Sequence, residues 1–238
     1  MFVTLLYHSI NRRNIAKTAI SEEAFEAQMG FLHKEGYSIL TLAQAINFIS
    51  GKQVDPQRAV LLPFDDGFAD NVLTALPLLR EYGMTATLFL VSTYIGQKYD
   101  WNPQAHDNIR HVTWDELQSW LEAGCEIGGH THAHLRMTVL SAREMLDAVL
   151  INKQIVEENL HTRLRAFSYP YGTHNQIVQD LVSKYYELAF SVDRGSWDPG
   201  VDRFAINRLE VKPGWSIEEF AEQLDRVSWA TYVQRGLL

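Results

Sequence analysis

Short apolar runs alternate along this chain with longer segments in which apolar residues recur at helical spacing. Each run is short and rich in β-branched or aromatic residues, which is typical of β-strands. We therefore predict seven strands. They lie at Val3–Tyr7, Ala59–Phe64, Ala86–Val91, Cys125–Gly129, Ala166–Tyr169, Leu188–Val192 and Phe204–Val211.

The segments between these runs carry helix-capping residues. Ser or Thr at an N-cap with an acidic residue or Gln within the next three positions predicts a helix start, and a following Gly predicts an end. These signals predict helices that begin after Ser21, Thr41, Thr113, Ser141 and Ser216, the first two ending at Gly36 and Gly51. A further helix is expected from about Asn71 to Tyr82, with a kink at Pro77.

This alternation of strands and helices predicts an α/β fold with a parallel sheet, either a barrel or a doubly wound sheet. Polar residues that could carry chemistry follow the first, second, fourth and fifth strands. Barrel enzymes build their active sites from the carboxyl ends of several strands, whereas a doubly wound sheet gathers ligands at one switch point. We therefore expect a barrel, formed as one domain over residues 1–238.

Composition narrows the classes of partner. The formal net charge of -8 argues against binding to nucleic acid or to an anionic membrane surface. No apolar stretch reaches the roughly 18 residues that span a bilayer, and the N-terminus lacks the basic and apolar regions of a signal peptide. We therefore expect no membrane span and a cytoplasmic location, with no prediction of oligomeric state. Cys125, the single cysteine, is expected to be a buried apolar residue.

The first candidate for chemistry is the pair Asp65-Asp66, which directly follows the second predicted strand. Successive side chains at a strand end point in different directions, so Asp66 could face a metal while Asp65 acts as a base. The alternative is an ordinary turn, because Asp-Gly is a common turn dipeptide.

The second candidate is the run from His130 to His134. Positions i and i+4 share one face of a helical turn, so the outer two rings could bind one ion while His132 points elsewhere. With Asp66 they would make three protein ligands, and an open fourth position is typical of a catalytic rather than a structural zinc site. The alternative is a set of solvated loop histidines.

The third candidate is the segment Ser168–Gly172, which includes Tyr169, Pro170 and Tyr171. Proline and glycine predict a rigid turn. Such a turn could direct a backbone N–H at an oxyanion while the tyrosine rings line a groove for sugars. An ordinary aromatic turn would have the same sequence.

The ordered motifs Phe-Asp-Asp-Gly, His-Thr-x-x-His and Tyr-Pro-Tyr-Gly, together with Tyr7-His8 near the start, resemble the polysaccharide deacetylase family, also called the NodB-homology domain or carbohydrate esterase family 4. The resemblance covers roughly residues 1–211 and implies a distorted (β/α)7 barrel with a divalent metal, usually Zn²⁺. It implies that Asp65 is the general base, that Asp66, His130 and His134 bind the metal, and that the Tyr171 N–H stabilises the oxyanion. The implied reaction removes N-acetyl groups from an amino-sugar substrate.

The chain departs from the family pattern in three places. Ser168 stands where many members have an arginine, and Arg208 is a candidate to orient Asp65 in its stead. The fourth motif is matched only by the short segment from Asp193 to Trp197. No histidine follows His174, so the usual proton donor is missing, and three residues are candidates for it. They are His8, His174 and Glu210.

We expect the substrate to contact His8, Tyr169, Pro170, Trp197 and Arg208. Two other functions stay open from the sequence. Relatives of this barrel hydrolyse cyclic amides or imides, some of them without metal. A carbohydrate-binding protein that has lost its proton donor, and with it catalysis, would also explain the missing histidine.

Overall fold

The computed structural model describes residues 1–11, 18–52, 58–98 and 110–234, with side chains to residue 228. Ten strands are found there. They are β1 (Phe2–Leu6), β2 (Ser38–Ile39), β3 (Ala59–Leu61), β4 (Pro63–Phe64), β5 (Thr87–Leu90), β6 (Glu126–Gly129), β7 (Ala166–Ser168), β8 (Leu188–Arg194), β9 (Ser196–Trp197) and β10 (Ile206–Glu210). All seven predicted strands are confirmed, the second as β3 and β4 in succession. The short strands β2 and β9 were not predicted.

Seven α-helices accompany the strands. They are α1 (Glu22–Lys34), α2 (Leu42–Ile49), α3 (Leu76–Glu81), α4 (Trp114–Glu122), α5 (Ala142–Leu160), α6 (Gln176–Val182) and α7 (Ile217–Gln234). Capping boxes start α2, α4 and α5 as predicted. The helix predicted from Asn71 to Tyr82 is divided into a π-helical segment, Asn71–Ala75, and α3. The irregularity lies just before Pro77, which occupies the first turn of α3. Helix α6, capped by Asn175, was not predicted.

The parallel strands form a distorted barrel. Neighbouring strands follow the order β2-β3-β1-β10-β8-β7-β6-β5-β4. Strand β4, the last in this order, returns to the end of β1 through a parallel bridge between Phe64 and Tyr7. There Tyr7 N donates to the Pro63 carbonyl and Asp65 N donates to the Tyr7 carbonyl, each at 3.0 Å. The predicted α/β barrel is therefore confirmed, and its closure lies beside Asp65.

The buried core follows from this arrangement. Tyr7, Phe25 and Phe64 pack ring against ring between α1 and the closed seam of the barrel. Cys125 is a free, buried thiol, as predicted. Within the described residues, no helix combines the length and the apolar character that crossing a bilayer requires.

Candidate active site

Asp65 directly follows β4, and its side chain is buried at the carboxyl end of the barrel, with the residue 3% exposed. Arg208 of β10 approaches it with both terminal nitrogens: Nη1 donates to Oδ1 at 3.0 Å, and Nη2 lies 2.9 Å from Oδ2. Ser168 Oγ of β7 donates to Oδ2 at 2.9 Å. Both carboxylate oxygens are therefore held by side chains from two other strands.

Arg208 is itself 1% exposed, and its Nε donates to the Ser191 carbonyl at 2.5 Å. The contact with Asp65 that we expected in place of the missing arginine is thus present. The expectation that Arg208 also contacts substrate is wrong, because its guanidinium is enclosed by protein.

The surroundings of Asp65 keep it ionised. Burial alone would raise the pKa of this carboxyl group, but the charge of Arg208, aided by His130 and His8, lowers it below its ordinary value of 3.8. Asp65 is therefore a carboxylate throughout the neutral range, which is the state that a general base requires.

Asp66 and the outer two histidines converge. Asp66 Oδ1 lies 3.4 Å from His130 Nε2 and 3.3 Å from His134 Nε2, and the ligand atoms of the three residues lie within 4.8 Å of one another. Ligands about 2.0–2.1 Å from a tetrahedral Zn²⁺ are separated by about 3.3–3.4 Å, which matches both contacts of Asp66.

Three further observations fit a divalent cation at this group. Asp66 Oδ1 is buried and accepts no hydrogen bond from the described protein groups. The Nδ1 of His130 lies 2.7 Å from the Ser168 carbonyl, which can only accept, so this nitrogen donates and Nε2 is the nitrogen that faces Asp66. Burial and the neighbouring His130 lower the pKa of His134 to about 4, so its ring is neutral near pH 7.

The loop that carries the two histidines is not the helical turn that we expected. Residues 130–136 are irregular, and the two rings converge because Thr131 and His134 adopt left-handed backbone conformations, with φ of 66° and 52°. Asp66, with φ of 75°, and Tyr171, with φ of 58°, do the same. Four non-glycine residues in a sparsely populated region indicate backbone strain concentrated at this site.

Helix α5 holds the strained loop in place. Asn152 is fully buried, and its Nδ2 donates to the carbonyls of Leu90 and Thr131, each at 2.8 Å. His132 N donates to the Ala148 carbonyl at 2.9 Å. Asn152 was not predicted, since a lone Asn on an amphipathic helix gives no signal of what it contacts.

Two more histidines lie next to the group without joining it. His132 Nδ1 lies 2.9 Å from Ser92 Oγ, so His132 lies apart from the three candidate ligands, as expected. His111, which was not predicted as a site residue, is buried, and its Nδ1 donates to the Asp66 carbonyl at 3.0 Å. This hydrogen bond therefore stabilises the strained backbone of Asp66.

The turn that follows β7 places Tyr171 at the opening of the site. Tyr171 is 53% exposed, and its ring centroid lies 4.6 Å from that of His134. No carbonyl of the described chain accepts its backbone N–H. A Cβ at Gly172 would lie 2.2 Å from Cγ2 of Val192, so only glycine fits this turn.

Two other residues of this turn do not line a groove, contrary to expectation. Tyr169 is fully buried, its hydroxyl donates to the Phe204 carbonyl at 2.9 Å, and its ring packs against Phe167. Pro170 is buried as well. Both residues shape the turn from the inside, and the prediction that they contact substrate is wrong.

The prediction that Trp197 contacts substrate is also wrong. Its strand β9 pairs with the start of β1, opposite Phe2, at the end of the barrel away from Asp65. There the Trp197 ring is 4% exposed and stacks on Phe2 at 5.3 Å. The segment from Asp193 to Trp197 therefore ends in the core, and Trp197 has no access to substrate.

His8 lies at the end of β1, partly exposed, and its charge lowers the pKa values of Asp65 and Asp66. Asn71 Nδ2 donates to the His8 carbonyl at 2.6 Å. The next residue, Ser9, donates through Oγ to Asp70 at 2.5 Å. A polar network thus fixes the loop that carries His8 against the segment after Asp66.

The other two candidate proton donors are engaged elsewhere. His174 stacks on the buried Tyr169 ring at 5.0 Å, and its Nδ1 lies 3.0 Å from the Gly172 carbonyl. Glu210 pairs with Lys212. Neither residue is among the groups whose charges act on Asp65, Asp66 or His134.

Comparisons with a family profile and with known proteins point to the same family. The family profile described as polysaccharide deacetylase matches residues 52–187. YxkH of Bacillus subtilis (strain 168), provisionally named a polysaccharide deacetylase, is 28% identical over 222 residues, which cover 93% of this chain and 75% of that protein. The poly-β-1,6-N-acetyl-D-glucosamine N-deacetylase of Staphylococcus epidermidis is 24% identical, covering 88% of this chain and 73% of that protein.

A solved structure shares the fold. The Streptococcus pyogenes deacetylase PplD, in complex with acetate, superimposes with a TM-score of 0.83 at 20% identity, covering 94% of this chain and 97% of that one. At this level of identity the likeness establishes the barrel fold and nothing about substrate.

The buried pair yields a first prediction. Arg208→Met should lower the free energy of unfolding by about 3–5 kcal/mol, because it leaves the Asp65 charge buried without a partner. The loss should shrink once the pH falls below 3.8, since the lowered pKa of Asp65 means that its ion pair contributes fully above that value and loses its contribution as the carboxylate is protonated. Urea unfolding from pH 7 down to about pH 2 measures both effects.

The double variant Asp65→Leu/Arg208→Met is the control. It removes both charges, so it should be more stable than Arg208→Met alone. An Arg208→Met protein with wild-type stability would show that the two side chains are not paired in the barrel.

A second prediction concerns the loop support. Asn152→Leu keeps a similar volume but removes both hydrogen bonds to the loop, so zinc affinity should fall about tenfold to a hundredfold. Competition with a chromophoric chelator measures the affinity. Asn159→Leu, on the same helix but exposed, is the matched control and should bind zinc like the wild type. Equal affinities in the two variants would contradict the role of Asn152.

Proposed function

Because the chain belongs to the polysaccharide deacetylase family, we propose that it is a metal-dependent N-deacetylase that releases acetate from N-acetylated amino sugars in a saccharide chain. The family profile and the N-deacetylase relatives indicate a hydrolase that acts on C–N bonds. The observation that carries the proposal is the convergence of Asp66, His130 and His134 beside the buried carboxylate of Asp65. The substrates in the names of its relatives, polysaccharides in general and poly-β-1,6-N-acetyl-D-glucosamine, support the choice.

In this proposal, Asp66, His130 and His134 hold the cation, with Zn²⁺ favoured by two imidazoles and one carboxylate. A divalent cation bound there would polarise the amide carbonyl and make a water molecule more acidic. Asp65 takes the proton of the attacking water. Its fixed ion pair with Arg208 prevents it from turning towards the cation, which keeps the base and the ligands distinct.

The Tyr171 N–H is proposed to stabilise the oxyanion. Its left-handed backbone conformation lies in a turn that Pro170 and Gly172 make rigid, and its ring contacts the His134 ring. A donor held in advance of the reaction costs no reorganisation when negative charge develops on the carbonyl oxygen.

Of the three candidates for the proton donor, we propose His8. Its charge acts on Asp65, Asp66 and His134, and the Asn71 hydrogen bond fixes its backbone at the opening of the site. The donor must protonate the amine as the C–N bond breaks, because an amide anion is too poor a leaving group.

The proposal is tested first at the base. Asp65→Asn should reduce acetate release from an N-acetylglucosamine oligosaccharide by a factor of about 10²–10⁴, because the amide cannot accept the proton. Zinc binding should persist, since Asp65 is not one of the three ligands. Acetate is measured enzymatically and zinc by elemental analysis after dialysis.

His134→Gln is the comparison variant, and it should lose both the metal and the activity. If Asp65→Asn released acetate at the wild-type rate, or if the wild type stayed active after its metal had been removed by a chelator, the proposed mechanism would be wrong.

The role of His8 is tested with two leaving groups. His8→Gln should slow hydrolysis of the N-acetyl sugar by about 10²–10⁴, yet slow hydrolysis of 4-nitrophenyl acetate far less, because nitrophenolate leaves without a proton. His174→Gln is the matched control and should affect neither reaction strongly. An equal loss on both substrates in His8→Gln would assign His8 to another role.

A further inference from the structure

A line of three side chains leads from the candidate metal group to the rim of the site. The ring of Tyr171 lies 4.6 Å from the ring of His134, centroid to centroid. Arg136 stacks on Tyr171, and its guanidinium carbon lies 4.6 Å from the centroid of the Tyr171 ring. Arg136 is exposed, two residues after His134. The stacking gives this long side chain a fixed place beside the reacting centre.

Arg136 differs from the other arginines in the described ranges. Each of those has a hydrogen bond or ion pair within the protein, and the partners are Glu35 for Arg58, Ser119 for Arg80, Glu116 for Arg110, Asp147 for Arg143, Glu187 for Arg163, Arg165 and Arg203, Gln223 for Arg194, Asp65 for Arg208 and Glu222 for Arg226. For the Arg136 side chain, the partner found among the described residues is the Tyr171 ring.

An arginine without an acceptor is unusual in this chain because the formal net charge is -8 and acidic side chains outnumber basic ones. Stacking on an aromatic ring satisfies the face of the guanidinium and leaves the N–H donors along its edge free. Those donors form a planar fork that matches the two oxygens of a carboxylate or phosphate. The pair Tyr171–Arg136 therefore has the form of a receptor for an anion.

We propose that Arg136 recognises an acidic group, a carboxylate or a phosphate, on the saccharide that this site deacetylates. The proposal rests on the proposed function and adds the class of substrate to it. The acidic group belongs to a sugar next to the one that reacts, because Tyr171 and His134 separate Arg136 from Asp66. That separation also keeps the anion away from the two aspartates, which would repel it.

The test compares three probes that differ in one group: a neutral N-acetylglucosamine trisaccharide, the same trisaccharide with one ring oxidised at C6 to a carboxylate, and the same trisaccharide with a 6-phosphate. The zinc-loaded wild type should have a KM about tenfold lower for one or both acidic probes than for the neutral one. The preference should weaken at high salt, because Arg136 is exposed. The acidic probe that has the lower KM identifies the group that Arg136 recognises.

Arg136→Gln should abolish this preference, and Arg136→Lys should retain part of it, since an ammonium keeps the charge but not the fork. Arg143→Gln is the matched control, an exposed arginine paired with Asp147 on α5, and should keep the wild-type preference. Equal KM values for the three probes in the wild type would overturn the proposal. So would an Arg136→Gln variant that lowers kcat on all three alike, which would show that Arg136 only positions Tyr171.

Calorimetric binding of the same probes separates this proposal from the proposed function. If no probe releases acetate but the acidic probes still bind the wild type about tenfold more tightly than Arg136→Gln, recognition by Arg136 stands and deacetylation fails. If acetate is released from all probes with no difference in binding, deacetylation stands and recognition by Arg136 fails.

Discussion

The ion pair between Asp65 and Arg208 is the constraint on which the rest of the site depends. Removing two charges from water is costly, and the pair is stable only because both oxygens of Asp65 and the Nε of Arg208 have partners. These contacts join the ends of β4, β7 and β10 inside the barrel. They also fix Asp65 in one orientation, which leaves the next residue, Asp66, to face the histidines.

The metal group depends on strained backbone that other elements hold in place. Asp66, Thr131, His134 and Tyr171 all have positive φ values. Left-handed conformations cost non-glycine residues free energy, so each needs contacts that oppose relaxation. Asn152 supplies them for the histidine loop, and His111 supplies them for Asp66. Helix α5 thus contributes to the site from outside the barrel, by hydrogen bonds to carbonyls rather than by a side chain in the active centre.

The strands and most helices were predictable because their signals are local: an apolar run, a capping pair, a terminal glycine. The sheet position of the motifs was predictable because parallel strands present their carboxyl ends together. The burial of individual side chains was not predictable. The rings of Tyr169 and Trp197 were expected to contact substrate, yet both lie in the core, since a tyrosine or tryptophan at a strand end can point to either side. The histidines converge because nearby residues have positive φ values, and the residue types at those positions do not predict this conformation.

The substitution of Ser168 for the arginine of many relatives shows why a missing motif residue need not mean a missing contact. Inside a barrel, side chains from different strands meet at the same level, so Arg208 of β10 reaches the carboxylate that an arginine of β7 would have reached. The same reasoning applies to the absent C-terminal histidine. Strands β1 and β10 are paired, with Leu6 opposite Glu210, so residues that follow either strand open onto one rim. His8, the proposed proton donor, follows β1 and therefore lies on the same rim as the residues that follow β10.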